Sequence, residues 1–257
     1  MSYFSLTEAA ERYDAYRPKV HSIVSKWLQD AGVTHKFKNS LDVACGTGDS
    51  TLPLIELSDN VIGIDLSKSM IERAEVKGLS VKQLGYEKAY ELGKFDLITT
   101  CMAFHWFGFD EALKAYKQAS SDNAIWLIYN FSFGGSENSD EFNDWFVSTY
   151  LKKFPSPARN GEVADFEKAE GMKCLASGKG VLPIKFVDKH ELTKYLTTQS
   201  NVENAVKAGL TYSEIEKEIE AMLQDFELST EFRYNYSYDL YQFTTQAVDA
   251  KKITRNC

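Results

Sequence analysis

The sequence has no pair of cysteines close enough to share a metal. Its four, Cys45, Cys101, Cys174 and Cys257, are scattered along 257 residues with no CxxC spacing. That argues against a structural zinc site or any other metal site, and against a disulfide framework. No apolar run approaches the roughly 20 residues that a membrane-spanning helix requires. The first residues, Met1-Ser2-Tyr3-Phe4, lack the basic stretch and apolar core of a secretory signal. Positive charge is in deficit: 29 Lys and Arg against 37 Asp and Glu leave a net charge of -8. A nucleic-acid partner normally demands a basic face and is not expected. There is no internal repeat and no low-complexity segment. The expectation is a cytoplasmic protein that meets neither membrane nor nucleic acid; its oligomeric state stays open.

What is present fits a folded domain. Hydrophobic residues make up 44% of the chain and charged ones 26%, a globular composition. Ser5 with Glu8 reads as a capping box opening a helix through Tyr16. Val20, Ile23, Val24, Trp27 and Leu28 recur at helical spacing. Elements then alternate: strand Ser40–Ala44, helix Gly48–Leu57, strand Val61–Ile64, helix from Ser67 through Val76, strand Ser80–Leu84, strand Phe95–Cys101, helix Asp110–Ala119, strand Ala124–Tyr129. This βα alternation predicts an α/β fold, a mostly parallel sheet with helices on both faces. Residues 1–36 read as an N-terminal helical cap. The rhythm breaks after Asn130, so 132–180 reads as an inserted lid within one domain, with a helix near Asp140–Leu151. Ile184–Val187 reads as a further strand. Ser213 with Glu216 reads as a second capping box. From Phe232 to Leu240 apolar and polar residues alternate strictly, which predicts a half-buried final strand, antiparallel because it follows a helix near the chain end.

The chemistry concentrates in Leu41-Asp42-Val43-Ala44-Cys45-Gly46-Thr47-Gly48-Asp49. An apolar run ends in a Gly-x-Gly turn, and the next strand ends in Asp65. Gly46 and Gly48 let backbone approach a ligand, and a strand-end carboxylate can accept hydrogen bonds from two ribose hydroxyls. Together they make a seat for an adenosine-containing cofactor. A dinucleotide fingerprint needs a third glycine, and none follows Gly48. Asp42 and Asp49 would repel a pyrophosphate; they suit a ligand carrying an ammonium and a sulfonium. This pattern favours S-adenosylmethionine. A nicotinamide-dinucleotide (NAD(P)) oxidoreductase and a non-catalytic S-adenosylmethionine-binding protein remain the alternatives.

Leu41–Gly48 resembles motif I of the class I S-adenosylmethionine-dependent methyltransferases, whose sheet is Rossmann-like. Asp65 matches the acid at the end of their second strand, and Phe95-Asp96-Leu97-Ile98 their fourth-strand motif. The continuation Cys101-Met102-Ala103-Phe104-His105-Trp106-Phe107 is similar to small-molecule enzymes of the trans-aconitate and ubiquinone/menaquinone type. Tyr13-Asp14-Ala15-Tyr16-Arg17-Pro18 resembles that group's opening, and Tyr195–Ser200 a segment of its substrate-side region. The resemblance implies that Ala44, Cys45 and Gly46 line the methionine moiety and ribose. It implies that Asp42 fixes the loop and faces the ammonium, that Asp65 holds the ribose, and that Leu66 and Met70 flank the adenine. Gly85-Tyr86-Glu87 would lie at the adenine edge, Cys101 and Met102 beneath the ligand, and Tyr13 and Arg17 over its methionine end. His105 and Trp106, following a strand end, are candidates for substrate contact, and His105 for a general base. The implied reaction is in-line transfer of a methyl group to the oxygen, carbon or carboxylate of a small molecule.

Overall fold

A computed structural model describes residues 6–158, 166–224, 226–227 and 231–245. In chain order these carry α1 (Thr7–Tyr16), α2 (Ile23–Asp30), β1 (Phe37–Val43), α3 (Leu54–Leu57), β2 (Ser58–Asp65), α4 (Lys68–Val76) and β3 (Val81–Gln83). A 3-10 turn over Tyr86–Leu92 leads to β4 (Phe95–Cys101), a second over Phe104–Trp106 to α5 (Phe109–Ala119) and β5 (Ser120–Ser136). There follow α6 (Asp140–Trp145), a π-helical turn over Phe146–Tyr150, α7 (Leu151–Lys153) and β6 (Met172–Lys185). Then come α8 (Lys189–Leu196), α9 (Ser200–Lys207), α10 (Tyr212–Leu223) and β7 (Glu231–Phe243).

The strands form one sheet in the order β3-β2-β1-β4-β5-β7-β6. β1 pairs in parallel with β2 and β4, β2 with β3, and β4 with β5. β7 runs against its neighbours. Its start meets the ends of β5 and β6, through Glu137 N to Glu231 O and the Lys185–Glu231 ion pair. Its far end meets their starts, through Thr245 N to Asp122 and Thr244 N to Gly171 O. This is the Rossmann-like, mostly parallel sheet with an antiparallel C-terminal strand that the βα rhythm implies.

By internal contacts the chain divides into two compact units. One comprises 1–18, 131–158 and 180–236; the other comprises 19–130, 159–179 and 237–257. The second is built on Leu41, Val43, Ile64, Ile98, Tyr116 and Trp126, all buried, with Phe104 and Phe166 packed among them. Trp126 Nε1 donates to Ser120 Oγ at 2.8 Å, so its burial leaves no indole donor unpaired. The first unit has an aromatic core. Phe142, Phe146, Tyr150, Tyr195, Phe232 and Tyr234 are all buried there.

Several expectations change. The helix expected over Gly48–Leu57 shrinks to Leu54–Leu57. The preceding residues are turns closed by i→i+3 bonds such as Thr51 N to Gly48 O and Leu54 N to Thr51 O. The strand expected over Ala124–Tyr129 continues to Ser136, and the one expected at Ile184 begins at Met172. Both therefore run into the segment 132–180, whose residues 159–165 lie outside the described set. The capping box is Thr211 with Glu214, not Ser213 with Glu216. Thr211 has extended backbone and accepts from Glu214 N, while Glu214 takes Thr211 N at 2.9 Å. Ser5 lies outside the described residues, and α1 starts after Leu6 with no side-chain cap. Helices α8 and α9 went unanticipated. Cys45 and Cys101 are free thiols.

Candidate functional site

The carboxyl ends of β1, β2 and β4 are neighbours in the sheet, so the turns leaving them share one edge. In open α/β sheets this edge is where ligands bind. The turn after β1 is held in an unusual backbone path: Ala44, Gly46 and Gly48 have φ of 57°, 54° and 87°. The two glycines serve different ends. A Cβ on Gly46 would meet nothing within 4 Å, so its α-carbon faces open space. A Cβ on Gly48 would lie 2.2 Å from Leu79 Cδ1 and 3.2 Å from Ala74 Cβ, so Gly48 lets the turn close against α4.

Asp42 anchors this turn from beneath. It is 0% exposed and accepts Ser50 Oγ at 2.6 Å, Thr51 Oγ1 at 2.7 Å and Thr99 Oγ1 at 2.8 Å. Burial pushes its carboxyl above the usual range, and the three hydroxyls pull the other way. Asp65 ties the turn from the side. Its Oδ2 accepts Gly46 N at 3.0 Å and its Oδ1 accepts Ser67 N at 2.7 Å. Burial raises its carboxyl too, against those backbone bonds. Asp65 remains half-buried, and a carboxylate oxygen has two acceptor positions, so each of these oxygens can take a further donor.

The charge pattern read from the sequence does not survive in three dimensions. Asp42 lies under the turn, spent on hydroxyls. Asp49 is buried and paired with Lys19 at 2.5 Å and Lys77 at 2.7 Å. Asp49 is neutralised by two lysines and Asp42 is turned to hydroxyls beneath the loop, so neither acid selects a sulfonium over a dinucleotide.

Other predicted residues fall around the same edge. Cys45 is 3% exposed; burial first, then the charges of Asp42 and Asp65, push its thiol well above the ordinary range. Met70 is buried in α4, whose start is capped by Ser67. Leu66 is 60% exposed. A Cβ on Gly85 would lie 3.3 Å from Leu66 Cδ2 and 2.3 Å from Glu87 Oε2, so all three converge. Tyr86 has its ring 4.2 Å from that of Phe107 and its hydroxyl 3.4 Å from Glu111. Met102, with φ 54°, turns the chain sharply after Cys101. His105 is half-buried with its ring 4.7 Å from that of Trp106. Tyr13 and Arg17 belong to the other unit. There Arg17 Nη2 donates to Thr198 O at 2.8 Å, and the guanidinium lies over the Tyr13 and Tyr195 rings.

Residues that sequence reasoning passed over complete the picture. Ser50, Thr51 and Thr99 hold Asp42; the one available signal was hydroxyl residues inside otherwise apolar or helical stretches. Thr47 Oγ1 is buried without a hydrogen-bond partner among the described residues. His21, expected within a helix, stands in the turn before α2. Its Nδ1 lies 3.2 Å from Tyr129 Oη and 3.8 Å from Cys101 Sγ. No group of three or more His, Cys, Asp or Glu able to hold a metal occurs among the described residues. No helix among them is long and apolar enough to cross a membrane.

This edge lies inside the stretch that a family model matches. Residues 41–121 match the family described as methyltransferase domain. A protein of Dictyostelium discoideum assigned as a methyltransferase is 26% identical over 128 residues, 49% of this chain and 47% of its own length. An uncharacterized methyltransferase of Schizosaccharomyces pombe is 27% identical over 164 residues, 61% of each chain. The chain thus spans about half to three-fifths of the length of the curated relatives it matches. A solved structure assigned as a type II methyltransferase, from Anaeromyxobacter dehalogenans, superposes with a TM-score of 0.64. It covers 91% of this chain and 100% of its own at 18% identity, a likeness of fold. The matched stretch, residues 41–121, takes in the turn after β1, Asp65 and β4. The Rossmann-like fold of this chain is shared with that solved structure.

Proposed function

We propose that this protein transfers a methyl group from S-adenosylmethionine to a small-molecule acceptor. The observation that carries the reading is the turn Ala44–Gly48, pinned below by Asp42 and beside by Asp65, within the methyltransferase-domain stretch. The residues fit the cofactor. Gly46 leaves open space above the turn, and Asp65 retains acceptor capacity for ribose hydroxyls. Thr47 Oγ1 is a buried polar atom lacking a described partner. Leu66 offers an exposed apolar surface for an adenine ring beside the Glu87 carboxylate, which suits an exocyclic amine. Tyr13 and Arg17 enter this reading from the resemblance alone.

The cofactor supplies an electrophilic methyl on a sulfonium. The protein's contribution is to hold the acceptor atom in line behind that methyl at about 3 Å and to keep water out. A carboxylate or thiolate acceptor needs no base; a hydroxyl, amine or carbon acid calls for one. His105 is the base that the strand-end position suggests, with Trp106 beside it against the acceptor.

Titration calorimetry with S-adenosylhomocysteine and, separately, with NADH tests the reading. Binding of the first and not the second is expected. Asp65→Ala should weaken it at least tenfold, since both the ribose acceptor and the Gly46 tie are removed. Binding of NADH alone, or undiminished affinity in Asp65→Ala, ends the proposal.

A further inference from the structure

Cys101 is the last residue of β4. Thr100 pairs with Val43, so Cys101 stands next to Ala44, where the glycine turn begins. Side chains alternate along a strand, so Cys101 shares a face with Thr99, and Thr99 bonds Asp42 beneath the turn. The thiol is half-buried, and its Sγ lies 3.8 Å from His21 Nδ1. One contact holds that imidazole directly, and two more brace its surroundings. Tyr129, Cys101's partner in β5, places its hydroxyl 3.2 Å from Nδ1. Trp27 packs edge-on against the Tyr129 ring at 5.6 Å. Two residues earlier, Lys19 ties the segment to Asp49.

We propose that Cys101 and His21 form a reactive thiol–imidazole pair, a site for soft carbon electrophiles whose alkylation closes the adjoining cofactor seat. Closure rests on the function proposed above; the reactivity of the thiol does not. In the reaction the thiol proton passes to His21 Nδ1. The sulfur attacks the carbon bearing a halide, the C–S bond forms as the carbon–halide bond breaks, and halide leaves. Among the described residues, the Tyr129 hydroxyl is the titratable group seen to face the pair. Cys45 is an internal contrast. It is also a free thiol, but it is buried beside two acids, a setting that suppresses a thiolate.

A histidine-paired thiol that ionises about two pH units below a free cysteine alkylates about tenfold faster at pH 6, after allowing for its lower intrinsic nucleophilicity. Iodoacetamide labelling of the intact protein at pH 6, read by peptide mass spectrometry, tests this against glutathione. Cys101 should label about tenfold faster than glutathione, and Cys45 far more slowly. His21→Gln and His21→Asn, each checked for an unchanged melting transition, should bring Cys101 down to the glutathione rate or below. Saturating S-adenosylhomocysteine should slow labelling, and the alkylated protein should fail to bind it. Cys101 labelling no faster than glutathione overturns the proposal. So does rapid labelling in either folded variant. If untreated protein does not bind S-adenosylhomocysteine, the methyltransferase reading fails while the thiol result stands by itself.

Discussion

Alanine at Gly48 and alanine at Gly46 should do opposite things, although the two glycines are two residues apart in one turn. Both have left-handed backbone, which costs a residue with a Cβ about 1–2 kcal/mol. At Gly46 that is the whole structural cost, because the new methyl meets nothing within 4 Å. At Gly48 the methyl would arrive 2.2 Å from Leu79 Cδ1 and 3.2 Å from Ala74 Cβ. Leu79 can swing its terminal methyl aside, but Ala74 belongs to α4 and cannot retreat alone. Overpacking of this kind adds about 1–3 kcal/mol, for a total of about 2–5 kcal/mol. At roughly 2–4 °C per kcal/mol for a chain near this size, Gly48→Ala should lower the melting temperature by on the order of 10 °C. Gly46→Ala should lower it by only a few degrees. Calorimetry should show the reverse order for the ligand: Gly46→Ala loses S-adenosylhomocysteine affinity while folded, because its methyl fills the space above the turn. Adding Leu79→Ala to Gly48→Ala should recover part of the loss relative to the sum of the single variants. If Gly48→Ala melts like the unaltered protein, or Gly46→Ala is the more destabilising, the division of labour assigned to the two glycines is wrong.

Two further outcomes follow from the other unit. Burial holds the Glu203 carboxyl up at about 6 from 4.5, against the Tyr212 hydroxyl that donates to it. A raised acid favours folding below its unfolded value and loses that contribution as pH rises through the folded one. The unaltered protein should therefore lose stability relative to Glu203→Gln between about pH 4.5 and 6, with no further change above about 7; a difference independent of pH in urea titrations refutes this. Thr211→Ala should cost about 1 kcal/mol by removing the cap on α10, and Ser213→Ala next to nothing. Equal melting shifts would return the cap to Ser213.

Local pattern carried far. The βα alternation, the strict two-residue period of Phe232–Leu240 and the glycine turn followed by a strand-end acid are properties of short windows, and backbone physics turns each directly into an element. Element ends were less legible. β5 and β6 outrun their apolar cores because pairing with β7, distant in sequence, extends them where side-chain pattern alone would stop. The capping box moved by two residues because Thr-x-x-Glu and Ser-x-x-Glu overlap there, and only backbone dihedrals choose between them.

By itself the sequence determined the class of sheet, the place of the glycine turn and the acid beside it, since adjacent residues build all three. Tertiary structure decided what the charges do. Asp42 and Asp49 read alike along the chain, yet one is spent on Ser50, Thr51 and Thr99 and the other on Lys19 and Lys77, because electrostatic roles depend on neighbours that sequence distance hides. It also carried His21 from an expected helix face to Cys101, 80 positions away. No local period encodes such a meeting; it exists only once β4 and β5 lie side by side.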